Sequence, residues 1–291
     1  MITGYAHPEV LVEADWVATH LKEPSIRIVE VDVDTTQYDE GHVPGATGFN
    51  WESQLNDQIC RDIVSQRDLE ALLSAHGIGN GHTLVLYGDN NNWFAAFAFW
   101  ILKVYGHTDV RLMNGGRKKW VFWEGRELTT EKPAYPPTTY KAKPADQSQR
   151  AYREQVLQAC TDPKYVLIDV RSPEEFVGEI LAPPGLAETA QRGGHIPGAR
   201  NIPWDKAVQE DGTFKSVDDL RKLYGGQGIT RGRNIITYCR IGERSSHTWF
   251  VLKYLLGVPN VRNYDGSWTE WGSVVRAPIE RGPGSRPGSV Q

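Results

Sequence analysis

In the segment NIITYCRIGERSSHTWF (234–250) an apolar run ends at Cys239, and Arg240, Gly242 and Arg244 follow within five positions. The run reads as a buried strand. Ser245, Ser246 and the apolar positions Trp249, Phe250, Leu252 and Leu255 read as the opening and inner face of a helix. Cys239 is therefore expected in a strand-to-helix turn, facing helix amides that have no intrahelical acceptor and the positive end of the macrodipole. With Arg240 and Arg244 beside it, the thiol is expected to ionise below its ordinary pKa and to act as a nucleophile. The same amides, from Ile241, Gly242 and Glu243 through Ser245, could hold an anionic sulfur. A merely structural cysteine would need no flanking arginines.

The elements that must position this turn come from a chain of 291 residues, enough for two domains of roughly 100–150 residues each. The formal charge of −4 has no basic block, so no nucleic-acid partner is expected, and Arg117, Lys118 and Lys119 read as a solvated helix face. The N-terminus MITGYAHPEVLVEADW lacks a basic-then-apolar leader, and no apolar run approaches the ~20 residues of a membrane span, so a cytoplasmic protein is expected. Three cysteines without C-x-x-C spacing fit a reducing compartment and offer no zinc site. No metal or cofactor is expected, and Cys60 and Cys160 carry no chemistry in this reading.

The halves repeat one pattern. GHVPGATGFNW (41–51) matches GHIPGARNIPW (194–204), and each follows a strand ending in acids, IRIVEVDVD and YVLIDVRSPEEF. Downstream, TLVLYGDNNNWFAAFAFW pairs with NIITYCRIGERSSHTWF. Short β-rich runs alternate with helical stretches in both copies, which predicts an α/β fold with two domains, each a mainly parallel sheet flanked by helices. The expected boundaries are 10–128, an extended Pro- and Thr-rich linker at 129–149, 150–280, and a disordered tail at 281–291. His42 and His195 occur in both copies, so shared turn architecture explains them better than catalysis. Chemistry should lie where the copies differ. With Tyr87 set on Tyr238, Gly88 stands opposite Cys239, Asp89 opposite Arg240 and Trp93 opposite Arg244.

These residues resemble the tandem-domain rhodaneses, in particular bacterial thiosulfate sulfurtransferases with a C-R-x-G-x-R loop, here Cys239, Arg240, Ile241, Gly242, Glu243 and Arg244. The likeness extends to the paired His-x-Pro-Gly-Ala turns, the Asp169-Val170-Arg171 strand end and the glycine turns at 114–116 and 264–266. It implies two rhodanese-like domains with the second active, and sulfane sulfur carried as a persulfide on Cys239. Thiosulfate would be the donor, with cyanide or another thiophilic acceptor, a thiol or a partner protein, taking the sulfur in a double displacement. Arg171 matches a family arginine that either pairs with the strand-end acid or helps bind substrate. Trp93 and Phe94 would line the cleft from the inactive half, or else pack as ordinary helix residues. Glu174 and Glu175 stand where some relatives carry a further basic residue, so the resemblance does not extend to a second sulfonate contact there.

Two rivals share the cysteine. A cysteine phosphatase needs C-x5-R, and here only four residues separate Cys239 from Arg244. A 3-mercaptopyruvate sulfurtransferase shares the persulfide but typically has a C-G-S-G loop, whereas two arginines suit an inorganic dianion. A non-enzymatic carrier that hands its sulfur only to a docked protein is the alternative of a different class.

Overall fold

The computed structural model describes residues 4–185, 190–230 and 232–283. The chain forms two compact units. Unit 1 contains His7–Gln147 together with Val208–Phe214, and unit 2 contains Gly4–Ala6, Ser148–Ala207 and the chain from Lys215 onward. The tail expected to be disordered falls, from residue 284, outside the described residues.

Unit 1 holds strands β1 (Leu11–Val12), β2 (Ile26–Asp32), β3 (Ala46–Asn50), β4 (Thr83–Tyr87) and β5 (Val110–Met113) in the order β1-β5-β4-β2-β3. Every pairing is parallel. Its helices are α1 (Ala14–His20), α2 (Thr36–Glu40), α3 (Trp51–Leu55), α4 (Gln66–Ala75), α5 (Trp93–Val104) and α6 (Gly116–Lys118). Unit 2 repeats the plan with β6 (Tyr165–Asp169), β7 (Arg200–Asn201), β8 (Asn234–Tyr238) and β9 (Val261–Asn263), ordered β7-β6-β8-β9 and again parallel. Its helices are α7 (Arg153–Ala159), α8 (Pro173–Val177), α9 (Val217–Gly225), α10 (Glu243–Phe250) and α11 (Ser267–Trp271). The parallel α/β architecture in two copies is the one the alternation of elements predicts.

The register fixes the equivalence of the copies. Glu30 lies beside Tyr87 on β2 and β4, and Asp169 lies beside Tyr238 on β6 and β8, so Gly88 and Cys239 leave equivalent strand ends. A second device repeats with them. The Tyr87 hydroxyl accepts from the Val43 amide at 2.9 Å, and the Tyr238 hydroxyl accepts from the Ile196 amide at 3.1 Å. Each amide follows the histidine of a His-x-Pro-Gly-Ala turn, so a buried tyrosine at the strand end anchors that turn to the sheet.

Burial explains the strands. Ile235, Ile236 and Tyr238 of β8 are buried, as are Leu84, Val85, Leu86 and Tyr87 of β4, the continuous apolar pattern of strands covered on both faces. The 129–149 stretch has almost no regular structure but is tied to unit 1 by backbone bonds: Thr129 to His42, Thr138 to Ser74, Lys143 to Tyr105 and Asp146 to Val104. Val208–Phe214, though late in the sequence, joins unit 1 through the Phe214 amide, which donates to Asn114 Oδ1 at 3.0 Å. Arg117 is not on a solvated face. It is buried and pairs with Glu30 at 2.9 Å, because α6 begins in the glycine turn directly behind β5 and carries the guanidinium back under the sheet.

Candidate active site

Cys239 leaves β8, and the chain reaches α10 through Arg240, Ile241 and Gly242. Gly242 is the N-cap with φ +104°, and a Cβ there would stand 2.9 Å from Asp265 Cα. Only glycine fits this turn without strain. The helix begins at Glu243, two residues before the serines that the sequence suggests as its opening.

The turn is pinned on the far side by the start of α11. The Cys239 amide donates to Ser267 Oγ at 3.1 Å, and the Cys239 carbonyl accepts from the Trp268 amide at 3.1 Å. The Arg240 carbonyl accepts from both the Thr269 amide and its hydroxyl. Ser246 Oγ donates to the Gly242 carbonyl at 2.7 Å, and Asn263 on β9 ties Ser245 and Ser246 to the same place. The loop is thus built from backbone groups that have little freedom to move, the condition for holding a charged sulfur in a fixed field.

The thiol itself is fully buried. The Gly242 amide donates to Sγ at 3.1 Å, as the helix-start position predicts. Sγ in turn donates to Glu243 Oε2 at 3.2 Å. This contact changes the electrostatics. The pKa of Cys239 is raised, not lowered as the flanking arginines suggest: burial is the largest cause and the Glu243 carboxylate the second, while Arg244 and the Ser245 amide and hydroxyl pull the other way. The arginine is less effective than its position in sequence suggests because its charge is already spoken for. Arg244 Nη1 and Nη2 meet the two oxygens of Glu175 at 2.8 and 3.1 Å, and its Nε lies 3.6 Å from Glu243.

Glu175 comes from α8, where it is also the third residue of a capping box with Ser172. Its pKa is lowered: burial raises it, and the Arg244 bonds, with Arg244 and Arg171 charge, outweigh that. The Ser-x-x-Glu spacing at 172–175 shows the cap in the sequence. That the same carboxylate reaches Arg244, 69 positions away, does not show. The sequence pattern likewise gives a role only to the Glu243 amide, and the contact of its side chain with Sγ comes from the fold.

Arg171 pairs with the strand-end acid, and its Nη1 is buried without a hydrogen-bond partner. It is fully buried, bonds Asp169 through Nε and Nη2, donates to the Gly194 carbonyl at 2.7 Å, and lies 4.5 Å over the Trp268 ring. Arg240 and Ile241 are buried in the loop. Trp93 and Phe94 open α5 in unit 1, where Phe94 is buried against Trp51 with ring centroids 5.3 Å apart. His42 and His195 hold carbonyls, Tyr38 and Phe176 respectively, through Nδ1 at 2.8 Å, and each bridges to a strap, at Thr129 and Glu280. Of the other thiols, Cys60 is exposed, and burial pushes Cys160 up to about 11. Among the described residues no group of His, Cys, Asp and Glu could hold a metal ion, and no helix is long and apolar enough to cross a membrane.

Known proteins are similar to this chain in sequence and fold. The chain is 56% identical over 283 residues to the sulfur carrier protein TtuD of Thermus thermophilus, covering 96% of this chain and 99% of that protein. It is 60% identical over 279 residues to a Haloferax volcanii protein provisionally named thiosulfate sulfurtransferase, covering 94% and 97%. The solved structure of SseA from Escherichia coli, described as a 3-mercaptopyruvate sulfotransferase, superposes with a TM-score of 0.76 at 28% identity over 89% of this chain and 98% of that one. The model of the rhodanese-like domain matches twice, at residues 13–122 and 152–273, so the chain belongs to the rhodanese family and carries two copies of its domain.

Proposed function

We propose that the protein is a sulfurtransferase that takes sulfane sulfur from thiosulfate and passes it on through a persulfide of Cys239. The observation that carries this is the seating of Sγ at the N-terminus of α10, where it receives the Gly242 amide at 3.1 Å in a loop of four intervening residues before Arg244. The loop is the size for one sulfur atom and too tight for a tetrahedral phosphate. The Cys239 thiolate attacks the outer sulfur of thiosulfate, the S–S bond breaks, and sulfite leaves with the electron pair. Cyanide or a thiolate then attacks the outer sulfur of the persulfide and releases Cys239. Arg240 and Arg244 are the loop cations that would meet the sulfonate, with Arg244 also bonded to Glu175.

Intact-mass measurement after treatment with thiosulfate tests the reading. Wild type should gain one sulfur atom and lose it to cyanide, and Cys239→Ser should gain none. Equal gain by both would move the chemistry to Cys60 or Cys160.

A second reading, a carrier that delivers the persulfide sulfur to a docked protein, is favoured by the likeness to TtuD. Loading by thiosulfate without turnover on cyanide or small thiols would support it over the enzyme. A preference for 3-mercaptopyruvate in kcat/KM would instead replace thiosulfate as the donor.

A further inference from the structure

Glu243 is a charged side chain placed on the reacting atom of a site that handles anions. Its Oε2 receives the Cys239 thiol at 3.2 Å, and the residue is buried with the sulfur. Around the pair stand Arg244 on the same helix, Arg240 in the loop, Glu175 on α8, Asp169 and Arg171 at the end of β6, and Asp265 after β9. The fixed pairs largely cancel. Glu175 takes the Nη edge of Arg244, Asp169 takes Arg171, and Asp265 is held by Arg150 at 2.7 Å. Glu243 also lies 3.6 Å from Arg244 Nε, and its Oε2 is the carboxylate oxygen in hydrogen-bond contact with the sulfur.

We propose that Glu243 is a catalytic residue that sets the sulfur-transfer poise of Cys239, holding the empty site as a hydrogen-bonded thiol and repelling the anionic persulfide so that the loaded site gives its sulfur up readily. The inference rests on the persulfide reading above. Loading at neutral pH is then the exchange of Cys–SH and thiosulfate for Cys–S–S⁻, sulfite and one proton. The S–H proton leaves, the Sγ–S bond forms, and the S–S bond of thiosulfate breaks with its electrons on sulfite. The reaction adds a negative charge beside Glu243 that the empty thiol lacks. A carboxylate within a few ångströms disfavours that product strongly in a buried site. The direction agrees with the raised pKa of the empty thiol, where burial and then Glu243 are the leading causes. A loop tuned only for tight sulfur binding would place a donor here.

The test compares wild type, Glu243→Gln and Glu243→Asp by two readouts. The pH profile of Cys239 alkylation by iodoacetamide needs no sulfur donor. Glu243→Gln should shift its midpoint to lower pH by about one unit or more, and Glu243→Asp should stay near wild type. The second readout is the loaded fraction by intact mass at a fixed thiosulfate-to-sulfite ratio. The loading constant should rise about tenfold or more in Glu243→Gln and stay near wild type in Glu243→Asp, with slower unloading by cyanide in the former. If Glu243→Gln fails to fold, Glu243→Ala carries the decision: removing the carboxylate should lower the alkylation midpoint and raise the loading constant as Gln does, with Glu243→Asp still near wild type. An unshifted alkylation profile with normal loading overturns the role of Glu243. Failure of wild type to gain sulfur from thiosulfate overturns the proposed donor, and the alkylation shift would still be read.

Discussion

Arg244 and Arg240 occupy the same loop, and their alanine variants are expected to behave differently. Arg244 meets Glu175 with two bonds, and both side chains are buried, so Arg244→Ala leaves a carboxylate without its counter-charge. Such a break typically costs about 3–5 kcal/mol, because the remaining ion keeps its desolvation penalty. The expected outcome is a large stability loss in denaturant melts, partly recovered by adding Glu175→Ala, with the coupling read from the double-mutant cycle. Arg240→Ala should cost less stability and should weaken thiosulfate use, since a charge-assisted bond to an anion is worth about 1.5–3 kcal/mol, seen as a fall in kcat/KM of tenfold or more. Equal stability losses for the two alanine variants would refute this division. From sequence alone both arginines look like substrate cations. The partner of Arg244 on α8 lies 69 positions away, and no local spacing reports it.

At the scale of elements, a strand–turn–helix unit is used twice with different loops. Gly88 stands where Cys239 stands, and the Arg117 amide donates to the Gly88 carbonyl as the Trp268 amide donates to that of Cys239, both at 3.1 Å. The first loop is nonetheless closed to a nucleophile. A Cβ on Gly88 would collide with the Val31 carbonyl oxygen and stand 2.9 Å from Asp32 Oδ1. The following Asn90, Asn91 and Asn92 all take positive φ, a path unlike that of the Cys239 loop, where positive φ falls on Gly242. Putting Gly88→Cys into Cys239→Ser should therefore give no gain of sulfur from thiosulfate and a loss of stability; a sulfur adduct on residue 88 would show that the loop can still open. Much of this was legible. The repeat, the parallel sheets, the strand ending at Tyr238 and the absence of a cysteine at the first loop follow from apolar periodicity and paired motifs. The pKa direction at Cys239 was not, because it depends on complete burial and on where the Glu243 side chain folds back. Neither Arg117 under its sheet nor the Val208–Phe214 segment in unit 1 could be read, since both depend on contacts distant in sequence.

Across the whole molecule, the two units place their buried charges differently, and this should show in how stability responds to pH. In unit 2 the strand-end pair is Asp169 with Arg171, and the guanidinium rests over Trp268. In unit 1 the position of Arg171 is taken by Asp32 and that of Trp268 by Arg117, so Glu30, Asp32 and Asp89 share one buried cation. The acids respond accordingly. Burial first, then the Asp89 and Glu30 charges, push Asp32 up from 3.8 to about 9, and one of its oxygens is buried without a hydrogen-bond partner. Burial also raises Glu30 and Asp89. Folded unit 1 therefore keeps a proton on Asp32 that the unfolded chain releases above about pH 4, so the native state binds more protons and stability falls as pH rises from about 4 to 9. Glu175 in unit 2 has the opposite sign: with its pKa lowered, its contribution is present above the unfolded value and is lost as pH falls through the folded one. Asp32→Asn tests the larger effect. The amide oxygen can still accept the Asp89 amide, which Asp32 Oδ1 now receives at 2.7 Å, while the titrating group disappears. The variant should be more stable than wild type at pH 7 by ~2–4 kcal/mol and should differ little near pH 4. Hydrogen exchange at β2 and β4 followed by mass spectrometry from pH 5 to 8, corrected for the intrinsic rate, reads this locally even if the units unfold in separate steps. A constant difference between variant and wild type across that range would mean that Asp32 is ionised in the folded chain, with Arg117 compensating it more fully than the pairing with Glu30 allows.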